Sequence, residues 1–407
     1  MRRVVVTGIG AVTPVGNSVP EFADAIFSGR CGIAPITKFD ASDSKCRLAA
    51  EVKGFDPALR LDKTTVRKTD LFTQYALYAA EEAMADSGVG GSVDECRLGV
   101  IIGSGVGGIN TLTAEEDALA AGGQRKVSPQ FVPKMIVNIA AGQAAIRFHA
   151  HGASSAVVTA CASGTDAVGE AFRRIRDGYA DAMICGGAEA AVNPLTVAGF
   201  VNCMALTQAS DPDAASLPFD SRRGGFVLGE GAGILILEEY EHAAARGAKI
   251  YCEVSGYGAS CDAYHITAPS PDPRYVARAI TDACEGMGVD AAQLYVNAHG
   301  TGTAMNDVCE TAAFKSAFGE DAYRLHISST KSMTGHMLGA AGAVEAIACV
   351  LALGRGTVPP TIHLLSPDEK CDLDYTPNHA VTAELRGAIS TSLGFGGHNA
   401  CLAFRKL

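Results

Sequence analysis

Short β-branched runs recur along this chain, each stopping at a turn rich in glycine or small residues and most leading into an alanine-rich stretch with helical spacing. The runs are Arg3 to Gly8, Leu98 to Gly103, Ala156 to Thr159, Ala182 to Gly187, Gly233 to Leu237, Leu294 to Ala298 and Leu402 to Phe404. Such an alternation buries its apolar residues as strands layered against helices, an α/β fold. Leu71 to Ala85, Gly164 to Arg176 and Ala340 to Leu353 are the longest helical stretches. Several of these are apolar on both faces, which predicts helices covered on two sides.

A chain of 407 residues exceeds what one hydrophobic core usually holds, so two packed halves are expected. A polar break at Arg246-Gly247-Ala248-Lys249, after a helical Glu238 to Ala245 segment, divides residues 1–248 from 249–407. One helix in each part is preceded by a similar turn, Ala160-Cys161-Ala162-Ser163-Gly164 in the first and Lys331 to Gly342 in the second. Each turn holds a reactive side chain, as a duplicated unit would.

Composition removes several function classes. With 44 acidic against 33 basic residues the formal charge is -11, so phosphate-driven binding of nucleic acid is not expected. Thirteen cysteines without a CxxC pair indicate neither a disulfide framework nor a zinc site, and they suit the reducing cytoplasm. No metal is expected. Met1 to Gly8 runs straight into a strand-like stretch and does not resemble an export signal. Glycine, polar or charged residues interrupt every apolar stretch before the ~20 residues that a membrane span requires.

Chemistry concentrates in three turns. Cys161 stands where a strand-like run gives way to small residues and then a helix. Its sulfur would meet the positive end of the helix dipole, which favours a thiolate and supplies donors for an oxyanion. Taken alone, a cysteine is more often a small core hydrophobe, and the other twelve are read that way. The company of Cys161 singles it out: Asn297-Ala298-His299-Gly300-Thr301-Gly302-Thr303 and Lys331-Ser332-Met333-Thr334-Gly335-His336. Each presents a histidine in a turn of glycines and hydroxyls after a strand-like run. His149, His151, His242, His326, His363 and His379 lack such surroundings and are assigned no role. Gly103-Ser104-Gly105-Val106-Gly107-Gly108 fits the dinucleotide-binding G-x-G-x-x-G, but around Val127 and Ser128 there is none of the acidity that should follow ~20 positions on.

In their order along the chain these motifs resemble the β-ketoacyl-acyl-carrier-protein synthases, in particular the elongating type II members of bacterial fatty-acid synthesis. The resemblance runs nearly end to end, through Val4 to Gly10, Thr159 to Gly164, Gly224 to Gly233, both histidine motifs and Ser392 to Asn399. It implies a five-layered αβαβα thiolase-like fold of two similar halves, usually a homodimer. It implies no cofactor beyond the phosphopantetheine of acyl carrier protein, which bears the substrates.

By the same resemblance Cys161 accepts the acyl chain, and the backbone N–H groups of Cys161 and Phe395 form the oxyanion hole. His299 and His336 stabilise the enolate formed when a malonyl group loses carbon dioxide. Lys331 and Glu345 organise the pocket, with Asp307 in support, and Thr301 and Thr303 hold the pantetheine arm. Phe395, between Gly394 and Gly396, is the implied gate, and Asp262 and His265 lie on the Cys261 to Thr267 loop that moves with it. Val106 and Phe131 are implied to line the acyl tunnel, the latter from across a dimer interface. Lys63, Arg67 and Lys68 resemble a basic patch that docks the acidic carrier protein. Thr207-Gln208 and Leu217 depart from the pattern, standing where arginine is usual.

Four related readings differ at the same positions. A polyketide ketosynthase shares Cys161, His299 and His336. A thiolase would carry a second cysteine within Gly394 to His398, and a type III starter synthase would carry asparagine in place of His336. A non-catalytic chain-length factor would lack Cys161.

Overall fold

In the computed structural model, which describes residues 1–407, the main strands of the first part are β1 (Val4–Val12), β2 (Leu98–Gly103), β3 (Ser154–Ser155), β4 (Ala182–Glu189) and β5 (Gly231–Glu239). Those of the second part are β6 (Cys252–Cys261), β7 (Leu294–Asn297), β8 (His326–Ser328), β9 (Gly387–Gly394) and β10 (His398–Arg405). They hydrogen-bond in the order β8-β7-β9-β10-β6-β1-β5-β4-β2-β3.

Counted outward from the β6/β1 junction, the two sides have one topology. β1-β5-β4-β2-β3 matches β6-β10-β9-β7-β8 strand for strand. The pairing sense matches as well. β2 is parallel to β3 and β4, and β5 is antiparallel to β4 and β1. In the other unit β7 is parallel to β8 and β9, and β10 is antiparallel to β9 and β6. A short antiparallel ladder pairing Val4 with Val254 and Val6 with Cys252 joins the units.

Helix α1 (Leu71–Ser87) covers the outer face of β1, β5 and β4. Helix α2 (Ser163–Arg176) lies between the units with α5 (Ala341–Arg355), each touching strands of both. Helix α3 (Arg274–Cys284) covers β6 and β10, with α4 (Asn306–Phe318) alongside. This is the expected five-layered αβαβα order. The central position of α5 explains why every residue from Ala341 to Val350 is buried. Small residues let the two central helices meet: a Cβ on Gly164 would lie 2.7 Å from the Gly339 carbonyl oxygen, and one on Gly342 only 1.9 Å from Thr165 Oγ1.

Two expectations need correction. Ala156 to Thr159 is not a strand: the ladder to β2 ends at Ser155, because Thr159 is drawn out of it by hydrogen bonds to Ser163 and Asp166. Glu238 and Glu239 end β5, and the helix begins only at Tyr240. The Glu238 carboxylate is held there by Arg246 at 2.7 Å and His242 at 2.6 Å. The most apolar helical window, Leu338–Arg355, is 18 residues long, contains Gly339, Gly342 and Glu345 as expected, and is 83% buried inside the fold. Strands β6 and β9 carried only a weak β-branched signal because Gly, Ala, Ser and Cys make up more than half of each. In β6 that smallness is required, since a Cβ on Gly256 or Gly258 would lie 2.0 Å from a carbonyl of α3.

Candidate active site

Past β3 the chain turns sharply. Ala160 adopts φ 51°, a left-handed conformation that costs an L-residue energy, and opens a 3₁₀ turn over Ala160–Ala162 that runs into α2. Ser163 Oγ pins the turn, donating to the Ala160 carbonyl at 2.7 Å and accepting from Thr159 N–H at 2.9 Å. Cys161 is half-buried at its tip, with its own N–H and that of Phe395 directed at the sulfur. Gly394 permits this approach, because a Cβ there would sit 2.6 Å from the Thr159 carbonyl oxygen. Burial pushes the Cys161 thiol up to about 11, outweighing the nearby positive charge of Lys331. The resting form is therefore the thiol, and not the thiolate expected from the helix end alone.

The first histidine turn follows β7. His299 and Gly300 donate their backbone N–H groups to the two oxygens of Glu310 at 2.6 and 2.8 Å, and the Thr391 hydroxyl donates to the same carboxylate at 2.6 Å. Even with these donors, burial raises the Glu310 carboxyl to about 7. His336 is fixed from the opposite side, its N–H donating to the Val227 carbonyl at 2.7 Å. The two imidazoles stand nearly perpendicular with centroids 5.2 Å apart. Burial, reinforced by the charge of Lys331, holds both well below the usual imidazole range, so both are neutral at pH 7. His299 Nδ1 and both ring nitrogens of His336 have no hydrogen-bond partner in the protein. Lys331 is buried behind them, with its ammonium bonded to Glu345.

Cys161, His299, His336, Thr301, Thr303 and Phe395 face one cavity of about 300 Å³. The half-buried Phe395 ring lies 6.3 Å from that of Phe200, and the Thr301 and Thr303 hydroxyls are 3.0 Å apart. Gly394 and Asp262 also line the space. Asp262 links two loops, accepting from Asn399 Nδ2 at 2.7 Å and Ser270 N–H at 2.9 Å while its own N–H donates to Gly397 at 2.8 Å. Asp307 lies behind the wall, fully buried, and accepts the N–H groups of Phe219 and Gly302.

Four residues predicted to bind substrate, His265, Gly396, Val106 and Phe131, are not on that wall. His265 braces its own loop by accepting from Thr267 and Ala268 N–H, and Gly396 donates its N–H to Ile266 of that loop at 2.8 Å. Val106 is partly exposed beside β4, and Phe131 opens the short helix Phe131–Met135. Lys63, Arg67 and Lys68 are exposed on the helix Lys63–Lys68 and enter no ion pair.

Three residues escaped the sequence reading. Cys203, taken for a core hydrophobe, is exposed and lines the cavity. Glu310 had a usable signal, since Asp307 and Glu310 stand one helical turn apart just after the first histidine turn. Glu189 had none. It accepts from Ser104 Oγ at 2.8 Å and from the N–H groups of Gly105, Val106 and Gly339 at 2.7, 3.2 and 3.0 Å. Thus the backbone nest that G-x-G-x-x-G would offer a pyrophosphate is filled by the protein's own carboxylate.

Residues 1–243 match the family described as beta-ketoacyl synthase, N-terminal domain, and residues 251–365 match its C-terminal domain. The chain is 50% identical to a 3-oxoacyl-[acyl-carrier-protein] synthase 2 of Synechocystis, covering all of this chain and 98% of that protein. Among solved structures it resembles the ishigamide ketosynthase/chain length factor at a TM-score of 0.93 and 37% identity, covering 100% of this chain and 99% of the other. A type II polyketide ketosynthase in complex with its acyl-carrier protein superposes at a TM-score of 0.90 and 35% identity, with both chains fully covered. A cysteine at a strained elbow facing two neutral imidazoles is thus set in a matching full-length scaffold, and the chain belongs to the beta-ketoacyl synthase family.

Proposed function

We propose that this chain is a decarboxylative condensing enzyme that elongates acyl chains carried by acyl carrier protein in fatty-acid synthesis. The observation that carries the reading is the convergence of Cys161, His299, His336 and the Phe395 N–H on one cavity. Cys161 Sγ attacks the acyl thioester, and its proton ends on the departing pantetheine thiol. The N–H groups of Cys161 and Phe395 receive the oxyanion of this step. Malonyl-carrier protein then enters. Its bond to carbon dioxide breaks, and the electron pair moves toward the thioester oxygen, where neutral His299 and His336 donate hydrogen bonds. The enolate carbon attacks the acyl-Cys161 carbonyl, the C–S bond breaks, and the freed thiolate is reprotonated, leaving a 3-oxoacyl chain longer by two carbons.

Lys331 and Glu345 set the charge behind the histidines, Asp307 steadies the turn, and Thr301 and Thr303 hold the pantetheine. Gly394, Phe395 and Gly396 form a gate that moves with the Asp262 and His265 loop. The repeated strand order supports a division into 1–248 and 249–407. A homodimer is favoured by β3, an edge strand followed by the exposed Val158, and by exposed Ile146 on the neighbouring helix. In that assembly Val106 and Phe131 would complete the acyl tunnel. Lys63, Arg67 and Lys68 offer free positive charge to an acidic carrier protein. The thirteen free cysteines fit the cytoplasm.

The test is incubation with long-chain acyl-carrier protein and malonyl-carrier protein, following carbon dioxide and the two-carbon-longer product by mass spectrometry. Cys161→Ala should lose condensation, while Cys161→Gln should lose acylation and keep malonyl decarboxylation. Condensation by Cys161→Ala at the wild-type rate would sink the reading. Iterated poly-β-keto products in place of a single elongation would favour a polyketide ketosynthase, to which the two solved structures are similar.

A further inference from the structure

We propose that Cys31, Asp213 and His363 form a binding site for a soft divalent cation, Zn2+ by its chemistry, which clamps the helix Lys331–Thr334 from behind the active site. None of the three lines the active-site cavity. Their sulfur, carboxylate oxygen and imidazole nitrogen lie within 4.8 Å of one another. His363 Nε2 is 3.4 Å from Asp213 Oδ1, and His363 Nδ1 is buried without a hydrogen-bond partner. A thiol, an imidazole and a carboxylate are the donors zinc selects, and three protein ligands leave a fourth position for water.

The surroundings favour a cation once the neighbouring charges are counted. Asp211 adds a second negative group near His363. Of the two cations nearby, Arg222 is neutralised by Asp220 at 2.8 Å, while Lys53, bonded to the Gly32 carbonyl at 2.7 Å, leaves one positive charge against the two aspartates. Burial keeps the His363 imidazole neutral and therefore ready to donate a lone pair. Burial also raises the Cys31 thiol, which releases its proton to solvent as the sulfur binds. Asp213 has a 73% exposed side chain and can swing inward to complete the set.

Each ligand stands beside a hydrogen bond that grips the same helix. Gly32, next to Cys31, donates its N–H to the Met333 carbonyl at 2.8 Å. Ser216, one turn beyond Asp213, donates to the Lys331 carbonyl at 2.8 Å. Ile362, next to His363, donates its N–H to Ser332 Oγ at 3.1 Å. A cation joining the three would tie these grips together and stiffen the segment that positions Lys331 and leads into His336.

The test uses the metal-free full chain titrated with Co2+ as a spectroscopic probe and with Zn2+ against a chromophoric chelator. The expected result is one equivalent bound with a thiolate-to-cobalt absorption band, and a higher unfolding temperature with Zn2+. Cys161→Ala should keep both signals. Cys31→Ser and His363→Asn should weaken binding by about 100-fold or more while condensing at the wild-type rate in metal-free buffer. Absence of stoichiometric uptake by the wild-type chain overturns the proposal, whatever the variants do. So does wild-type affinity in Cys31→Ser, or loss of the band in Cys161→Ala, which would place the cation at the active-site thiol.

Discussion

The elbow before α2 and the elbow before α5 occupy the same place in the two repeated units. In each, a non-glycine residue three positions ahead of the helix takes a left-handed backbone, Ala160 at φ 51° and Leu338 at φ 45°. Both then pass through a three-residue 3₁₀ turn, Ala160–Ala162 and Leu338–Ala340. The residue after the strained one is Cys161 in the first unit and Gly339 in the second. The strain therefore belongs to the scaffold, and the nucleophile is a local choice upon it. The second elbow has no room for that choice, because a Cβ on Gly339 would lie 2.3 Å from Gly105 N. Its chemistry sits upstream instead, in Lys331 and His336.

The most disruptive way to test this pairing is Gly339→Cys, which tries to make the second elbow like the first. The clash is with backbone and cannot be relieved by a rotamer change, so a loss of about 3 kcal/mol or more is expected by chemical denaturation. A variant as stable as wild type would show that the two elbows are not packed as described. Next in size is Glu310→Gln. The amide nitrogen would face a backbone N–H of His299 or Gly300, shifting the imidazole and slowing condensation by about 100-fold. Acylation of Cys161, which uses the N–H groups of Cys161 and Phe395 rather than the histidine turn, should be nearly unchanged. Equal losses in both half-reactions would contradict that separation. Glu310 also has a pH signature. Its folded-state pKa lies near 7, above the ordinary carboxyl value, so the stability it contributes at low pH is lost as pH rises from about 4 through 7. Wild type should therefore lose more stability over that window than Glu310→Gln does.

How much of this was legible depended on whether the signal was local. Six of the seven strand-like runs fall within observed strands or overrun them by one residue, and the long alanine-rich helices lie where periodicity put them, because each is set by residues adjacent in sequence. Cys161, His299 and His336 were singled out through their small-residue turns, and all three line one cavity. Strand β6 was hidden because the packing of α3 demands small residues where β-propensity would ask for branched ones, and β9 because more than half of it is Gly, Ala or Ser. The thiol state of Cys161 was misjudged because the helix end is visible in sequence, whereas the desolvation that overrides it is tertiary. Glu189 and the Cys31, Asp213 and His363 cluster join residues remote in sequence, and no spacing rule could have assembled them.

Glu189→Gln probes the contact between the elbows more gently. Each carboxylate oxygen receives two donors, so replacing one oxygen by an amide leaves two donors facing a donor. A loss of about 1–3 kcal/mol in stability is expected. Because Glu189 touches neither histidine, condensation should fall by no more than about tenfold. A loss as large as that of Glu310→Gln would mean that the Gly103 to Gly108 loop controls the histidines as well.

The smallest effect, and the one that isolates the strain itself, is Ala160→Gly. An alanine in the left-handed region costs about 1 kcal/mol that glycine avoids, while glycine adds 0.5–1 kcal/mol of chain entropy to be lost on folding, roughly. The net change should be stabilising or neutral, by less than about 1 kcal/mol, measured by denaturant unfolding. Relief of strain should not speed acylation, since the neighbouring hydrogen bonds of Ser163 hold the turn in place. Faster acylation would assign the strain to the chemistry of Cys161. An unchanged rate would assign it to the repeated elbow, where Leu338 carries the same backbone conformation with no nucleophile to serve.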